Sequence, residues 1–425
     1  MTKRYKSLFE ILVSLLIALV FFVITYWAMN SHIPISAEKV KLQLFEKFRQ
    51  AYWPKAESTM TDSVIMIDTH YDQQFVMEHD VNNSNLPIGL VPVTDRQKLL
   101  KCLACLKEKS DYKYILLDIF LDKAVGQESD SLLHRTIASM KNIVIAKPQT
   151  LPLADTCLKT KVGTVQYSLA LWENDFVKFP FFYEGERSLP LIMYENVTGN
   201  TISKEGWFYF DQGLARNSVI LTYDNVDIDE RAYLGGVEDY TIEDALRDTR
   251  GKYVLIGDFV DDMHNTFLGE VPGTLINYYA YLALLNGHHK LSVWVILFFI
   301  VVFAIPIYLK ITDYRFPKWL IEQIRVSTIV CRLESFSVRL SSLIIIALKK
   351  ALHNHAFTII SRLYKLILKL LSKLFSSWVG YPLYLTVVCF YTYLVFNEAY
   401  DILVTTALYY VLNVICDSYN EKKSK

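Results

Sequence analysis

The sequence predicts an α/β domain with a mainly parallel sheet and an antiparallel extension, set between apolar helices, one before it and three after. Three observations carry this. Apolar residues make up 52% of the 425 residues but gather in a few long runs, which excludes a single soluble globule. Between Asn30 and Lys290, short β-rich runs alternate with helical periodicity, the pattern of parallel strands joined by crossover helices. Charge is segregated too: the net formal charge is zero, yet it is +2 before Asn30, −10 from Asn30 to Leu309 and +8 from Lys310 onward. An acidic middle argues against nucleic-acid binding there, and basic flanks suit the cytoplasmic side of a membrane.

The first apolar run, Leu8 to Met29, has 22 residues and one charge, Glu10. As a helix it is about 33 Å long, enough for a hydrocarbon core. It exceeds the apolar stretch of a cleaved signal peptide and exits through Trp27, Met29, Asn30 and His32 rather than a small-x-small site, so an uncleaved anchor is expected. Lys3, Arg4 and Lys6 precede it, placing residues 1–7 in the cytoplasm and 30–290 outside. Leu291 to Leu309 returns the chain inward, with Pro306 as a kink site and Lys310, Arg315 and Lys318 beyond. Two further spans are expected, 378–396 and 399–416, turning at Asn397; the second is short and contains Asp401 and Asn413. The tail 417–425, with Lys422, Lys423 and Lys425, is then cytoplasmic.

The intervening segment, 310–377, carries 12 basic and 3 acidic residues up to Ser376. Leu363, Leu366, Ile367, Leu370, Leu371 and Leu374 recur at helical spacing, while Arg362, Lys365, Lys369 and Lys373 fill the other face. Such a basic amphipathic helix lies along an anionic lipid surface; the segment serves either as a positive loop that fixes topology or as a docking surface for a partner.

Within the external part, Ser36 heads a helix from Ala37 to about Ala51. A strand, Ser63 to Ile67, ends at Asp68. Thr94 and Gln97 read as a capping box before a helix with Leu99, Leu100, Leu103 and Leu106 on one face. The strand Tyr114 to Leu117 ends at Asp118, Ser129 and Asp130 open a helix carrying Leu132, Leu133 and Ile137, and Ile143 to Ala146 forms a third strand. From Thr164 to Tyr223 the signals turn short and aromatic, at Val165–Trp172, Phe176–Tyr183, Trp207–Phe210 and Val219–Tyr223, and helical signals are scarce. The antiparallel extension is expected there. Then come a helix from Thr241 to Asp248, a strand Tyr253 to Ile256 with Gly257, and a helix after Pro272 and Gly273 reaching Asn286.

Asp68, Asp118 and Gly257 close apolar strands, and ligands of open α/β sheets bind beyond the carboxyl ends of strands. His70, Asp122, Asp258, Asp261, Asp262 and His264 occupy the loops that follow. This inventory suits a cationic ligand or a divalent cation; alternatively the carboxylates cap helices, bond loop amides or face solvent. Cys102 and Cys105 lie inside a helical pattern, where small buried residues are expected rather than a redox pair. No P-loop, G-x-S-x-G, H-E-x-x-H or kinase motif occurs, so no catalytic residue, resident metal or cofactor is assigned.

The order of signals resembles the second type of CHASE domain, the cyclase- and histidine-kinase-associated sensory extracellular domain of bacterial receptors. The residues that carry the resemblance are Val64-Ile65-Met66-Ile67-Asp68, Pro92 with Arg96, Asp118-Ile119-Phe120, and Gly251-Lys252 followed by Tyr253 to Gly257, Asp262, His264, Thr266, Pro272 and Gly273. That family also places three membrane helices after the domain. The resemblance implies a receptor-like protein of the bacterial cell envelope, without enzymatic activity of its own, that perceives an unidentified ligand or protein outside. Relatives usually continue into an output enzyme, so the expectation here is a separately encoded output partner, with homodimerisation possible. A non-switching structural or assembly component of an envelope complex is the alternative.

Overall fold

The computed structural model describes residues 3–30, 37–52, 64–80, 86–121, 127–147, 158, 161–167, 178–221, 228–236, 242–312, 380–396 and 402–424. They divide into two compact units, Asn30–Ser292 and, separately, Met1–Met29 with Val293–Lys425. The basic face at Arg362, Lys365, Lys369 and Lys373 lies outside the described residues, as do Ser36, Asp122 and Thr241.

In chain order the elements begin with α1 (Lys3–Met29), α2 (Ala37–Tyr52), β1 (Val64–Asp68), β2 (Gln73–Asp80), β3 (Leu86–Thr94), α3 (Arg96–Lys109), β4 (Tyr114–Asp118), α4 (Gln127–Ser139) and β5 (Ile143–Ala146). Short strands follow: β6 (Val162–Gly163), β7 (Lys178–Pro180), β8 (Phe182–Tyr183) and β9 (Glu186–Arg187), then α5 (Leu189–Thr198). After it come β10 (Ser203–Glu205), β11 (Phe208–Phe210), β12 (Leu214–Ala215), β13 (Ser218–Ile220), β14 (Ala232–Tyr233) and α6 (Ile242–Ala245). The series ends with β15 (Tyr253–Gly257), β16 (Met263–Thr266), β17 (Gly269–Pro272), α7 (Gly273–Leu285), α8 (Val293–Ile311), α9 (Gly380–Phe396) and α10 (Ile402–Ser424).

The fold of the larger unit is mixed α/β. Its main sheet is parallel throughout, in the order β14-β1-β15-β4-β5-β6. Central strands are apolar on both faces, as a sheet covered by helices on each side requires. One face packs Ile115, Leu117, Ile143, Ile145, Val254 and Ile256 against Leu99, Leu103 and Leu106 of α3 and Leu133 and Ile137 of α4. The other face meets α5 and α7: Asn196 Nδ2 donates to Tyr114 Oη at 2.7 Å, and the Tyr253 and Tyr281 hydroxyls bond at 2.7 Å. Burying the α3 leucines contributes about 2 kcal/mol each.

Several local expectations are corrected. The cap of α3 is Asp95, whose carboxylate accepts from the Gln97 and Lys98 amides at 2.9 and 3.1 Å; Thr94 is still paired to Gln73 in the strand ladder and cannot turn to cap. Helix α4 starts at Gln127, before Ser129, and leaves Leu132 half exposed. Val165–Tyr167 belongs to no strand, and the helix expected to reach Asp248 is only Ile242–Ala245. The antiparallel pairs β7/β13, β8/β9 and β10/β11/β12 do form the extension, but α5 sits among them. Most of α5 is buried, so it shows no polar stripe and its periodicity is hidden. Gly163 admits its start, because a Cβ there would fall 2.5 Å from Leu189 Cα. The hairpin β2/β3 was also unforeseen; it carries exposed Phe75, Met77 and Leu90 on one face.

In the smaller unit, Leu8–Met29 is long and apolar enough to cross a membrane; the apolar helices Val293–Tyr308, Gly380–Phe396 and Val404–Ile415 are shorter. Phe21 and Phe22 of α1 pack on Phe303 and Phe299 of α8, and Tyr381 of α9 stacks on Tyr409 of α10 with ring centroids 3.6 Å apart.

Candidate functional site

The pairings Asp68 with Gly257 and Gly257 with Asp118 bring the carboxyl ends of β1, β15 and β4 to one level. A side chain at Gly257 would collide with Thr274, its Cβ lying 2.1 Å from the hydroxyl, so glycine is what lets α7 begin this close to the strand end. Pro272 precedes that helix with extended backbone, which is compatible with its missing N–H.

Beyond β4 and β15 opens a cleft of about 750 Å³. Asp118 lies on its floor and accepts from Asn277 Nδ2 at 2.9 Å. Burial, aided by the neighbouring Asp262 charge, pushes the Asp118 carboxyl up to about 7. His264 Nε2 bonds Asp262 Oδ1 at 2.8 Å and its other ring nitrogen meets the Tyr167 hydroxyl. The Asp262 hydrogen bond raises the His264 imidazole, and burial pushes Tyr167 up to about 12. The cleft therefore holds a carboxyl poised to gain or lose its proton near neutrality beside a histidine–carboxylate pair.

Asp118, Asp258, Asp262 and His264 line this space. His70 stands apart from the lining: its Nδ1 is 3.2 Å from Asp258 and 3.6 Å from Asp261. Those three groups could hold a metal ion by proximity. Asp258 Oδ1, however, already accepts the Val260 and Asp261 amides at 2.8 Å. Burial alone would raise Asp258, but those amides and His70 outweigh it and hold its carboxyl below the ordinary range. Asp68 does not line the cleft either. Fully buried, it accepts from Arg231 Nε at 2.9 Å and from the His70 and Phe259 amides at 3.0 and 3.3 Å, stitching β14 and the β15 loop onto β1.

Tyr167, Asn277 and Gln73 of the lining carry no site expectation from sequence, and Phe120 enters there only within the Asp118-Ile119-Phe120 resemblance. Asn277 left one signal, a polar residue within the otherwise apolar GTLINYYAYLALL helix. Arg96, part of the resemblance, is 2% exposed and reaches the Phe120 carbonyl at 3.5 Å and Asp130 at 3.7 Å, fixing the loop that leaves β4. Cys102 packs within the apolar core, where burial pushes its thiol far above the usual range; this is a packing residue, not a nucleophile.

A second polar cluster lies where the domain's chain ends meet. Asn217 donates its amide to Asn30 Oδ1 at 2.7 Å and its side chain to the Asn30 carbonyl at 2.8 Å. Arg216 N bonds the His289 carbonyl and Leu291 N the Leu214 carbonyl, both at 2.8 Å. Residues 214–217 thus hold both the first residue of the domain, Asn30, and the stretch at its end, His289–Leu291. Beside them, buried Asp211 accepts from His289 Nε2, Tyr194 Oη and Lys290 Nζ at 2.6, 2.7 and 3.1 Å. Comparison with family models, curated proteins and solved structures gives no match.

Proposed function

We propose that this chain is a bacterial-type integral membrane sensor, with residues 30–290 outside the cell and four crossings at 8–29, 291–309, 378–396 and 399–416. The cleft on Asp118 receives an external ligand, and the membrane helices pass its occupancy to an output partner inside the cell. The observation that carries this is the polar, partly aromatic cleft at the carboxyl ends of a parallel sheet, the position at which such sheets bind ligands. Helix α7 supplies a route: Gly273, Ile276 and Asn277 line the cleft, and about 20 Å along the same helix its end leads into His288–Leu291, bonded to residues 214–217 with Asn30. Ligand could bias that route only by binding two arrangements with unequal affinity.

Topology is tested by placing Asp261→Cys, on an exposed loop, in a cysteine-free chain and labelling intact cells with a membrane-impermeant maleimide. Labelling without permeabilisation is expected; labelling that needs permeabilised cells overturns the external placement. Enzymatic use of the cleft is tested separately: turnover of substrate by the purified chain, abolished by Asp118→Asn, would replace the sensor with a hydrolase.

A further inference from the structure

The described side chains that line the cleft include three carboxylates, Asp118, Asp258 and Asp262, and no lysine or arginine. Its one potential cation, His264, is already engaged by Asp262. An anionic ligand would meet repulsion from this wall. The deep side of the cleft adds an independent demand. Asn277 is 3% exposed and spends its Nδ2 on Asp118 and the Gly273 carbonyl at 2.9 and 3.2 Å, while its Oδ1 accepts from no group among the described residues. A buried amide oxygen without a donor is costly, and a bound N–H would satisfy it. Four aromatic residues, Phe120, Tyr167, Phe179 and Tyr183, also border the space among aliphatic and neutral polar ones, and Phe120 is 39% exposed.

Carboxylates, an acceptor without a donor and ring faces together select a group that is positive, rich in N–H and attached to an apolar body. A lone divalent ion needs six to eight oxygens within a small cage, whereas this cleft has the volume of a small-molecule site. We infer that the cleft binds an organic cation, a primary ammonium or guanidinium on an apolar carbon frame. The inference rests on the ligand-binding reading proposed above and specifies its chemistry.

The test uses the full chain in detergent micelles at pH 7.5, followed by thermal shift and calorimetric titration. Phenethylamine, agmatine and cadaverine are the probes, with 2-phenylethanol, phenylacetate, CaCl2 and MgCl2 as comparators. The expected result is that at least one amine stabilises the protein with a Kd below about 1 mM. Asp262→Asn and Phe120→Ala should each weaken that binding about 10-fold or more, and Glu205→Gln on exposed β10 should leave it unchanged. Both cleft positions are partly exposed, so the variants should fold; wild-type melting behaviour without ligand confirms it. Equal or stronger stabilisation by phenylethanol or phenylacetate, sensitive to the same variants, overturns the organic cation but keeps a ligand cleft. Stabilisation by the divalent salts alone overturns it in favour of a metal. Silence from every compound overturns the inference, while amine binding unaffected by the cleft variants moves the site elsewhere and overturns it too.

Discussion

The cleft and the cluster at the chain ends are assembled from the same residue types. Asp118, Asp262, His264, Tyr167 and Asn277 make one; Asp211, His289, Tyr194 and Asn217 make the other. Their electrostatics are opposite. Burial alone would raise Asp211, but hydrogen bonds from Tyr194, His289 and the Lys290 ammonium hold it below the ordinary range, and burial pushes the His289 imidazole down to about 4. Asp118 faces another carboxylate instead of an ammonium and rises to about 7, while the Asp262 hydrogen bond raises His264. One cation, Lys290, and closure from solvent separate a structural clamp from a site open to chemistry.

The sharpest way to break this contrast is Asp211→Ala. It leaves Lys290, His289 and Tyr194 without their shared acceptor, and a loss of about 3–5 kcal/mol is expected in urea unfolding of the full chain in micelles. A neutral response would mean the clamp is not holding the domain.

Acid provides the next largest effect. Because His289 titrates lower in the folded chain than its ordinary 6.5, the unfolded chain binds more protons between about 4 and 6.5. Stability is therefore complete above that window and falls as pH drops through it, by up to about 3 kcal/mol, and Asp211, lowered from its ordinary 3.8, acts in the same direction only at still lower pH. His289→Gln should flatten this limb of a Tm-against-pH curve.

Asp118 has the reverse sign. Its folded carboxyl titrates near 7, above the ordinary 3.8, so its contribution is complete below the unfolded value and is lost as pH rises through about 7. Asp118→Asn, a fixed mimic of the protonated acid, should stabilise by about 1–2 kcal/mol at pH 8 and not at pH 4. Amine affinity should rise from pH 6 to 8 as Asp118 ionises, with Asp262, Asp258 and His264 facing the same space. A flat profile would remove Asp118 from the binding groups.

The smallest effect is expected from Asn30→Ala, which strips the acceptor from the Asn217 amide at about 1 kcal/mol. In the sensor reading it should weaken ligand-dependent output in cells while leaving amine affinity unchanged; unaltered output would detach the clamp from signalling.

Strands β1, β4, β5 and β15 were readable because strands buried on both faces appear as unbroken apolar runs, three of them closed by Asp or Gly and β5 ending at Ala146. Helix α7 was readable from Pro272 and Gly273. Helix α5 was not, since burial on nearly every side erases amphipathic spacing, and the cap of α3 was misread by one residue because Thr94 stays committed to its strand. Asp118, Asp262 and His264 could be nominated from their places after strand ends. Tyr167 and Asn277 could not: Tyr167 follows β6, only two residues long, and Asn277 lies inside α7 rather than after a strand end.

By itself, then, the order of residues determined which stretches avoid water, where strands stop, and that acidic loops gather beyond them. Only tertiary structure decided that Arg231, 163 residues away, neutralises Asp68 while Asn277, 159 residues from Asp118, offers it an uncharged amide. The reason is that a carboxylate's proton affinity depends on what lies within a few ångströms in space, and partners so far apart along a chain leave no local pattern to read.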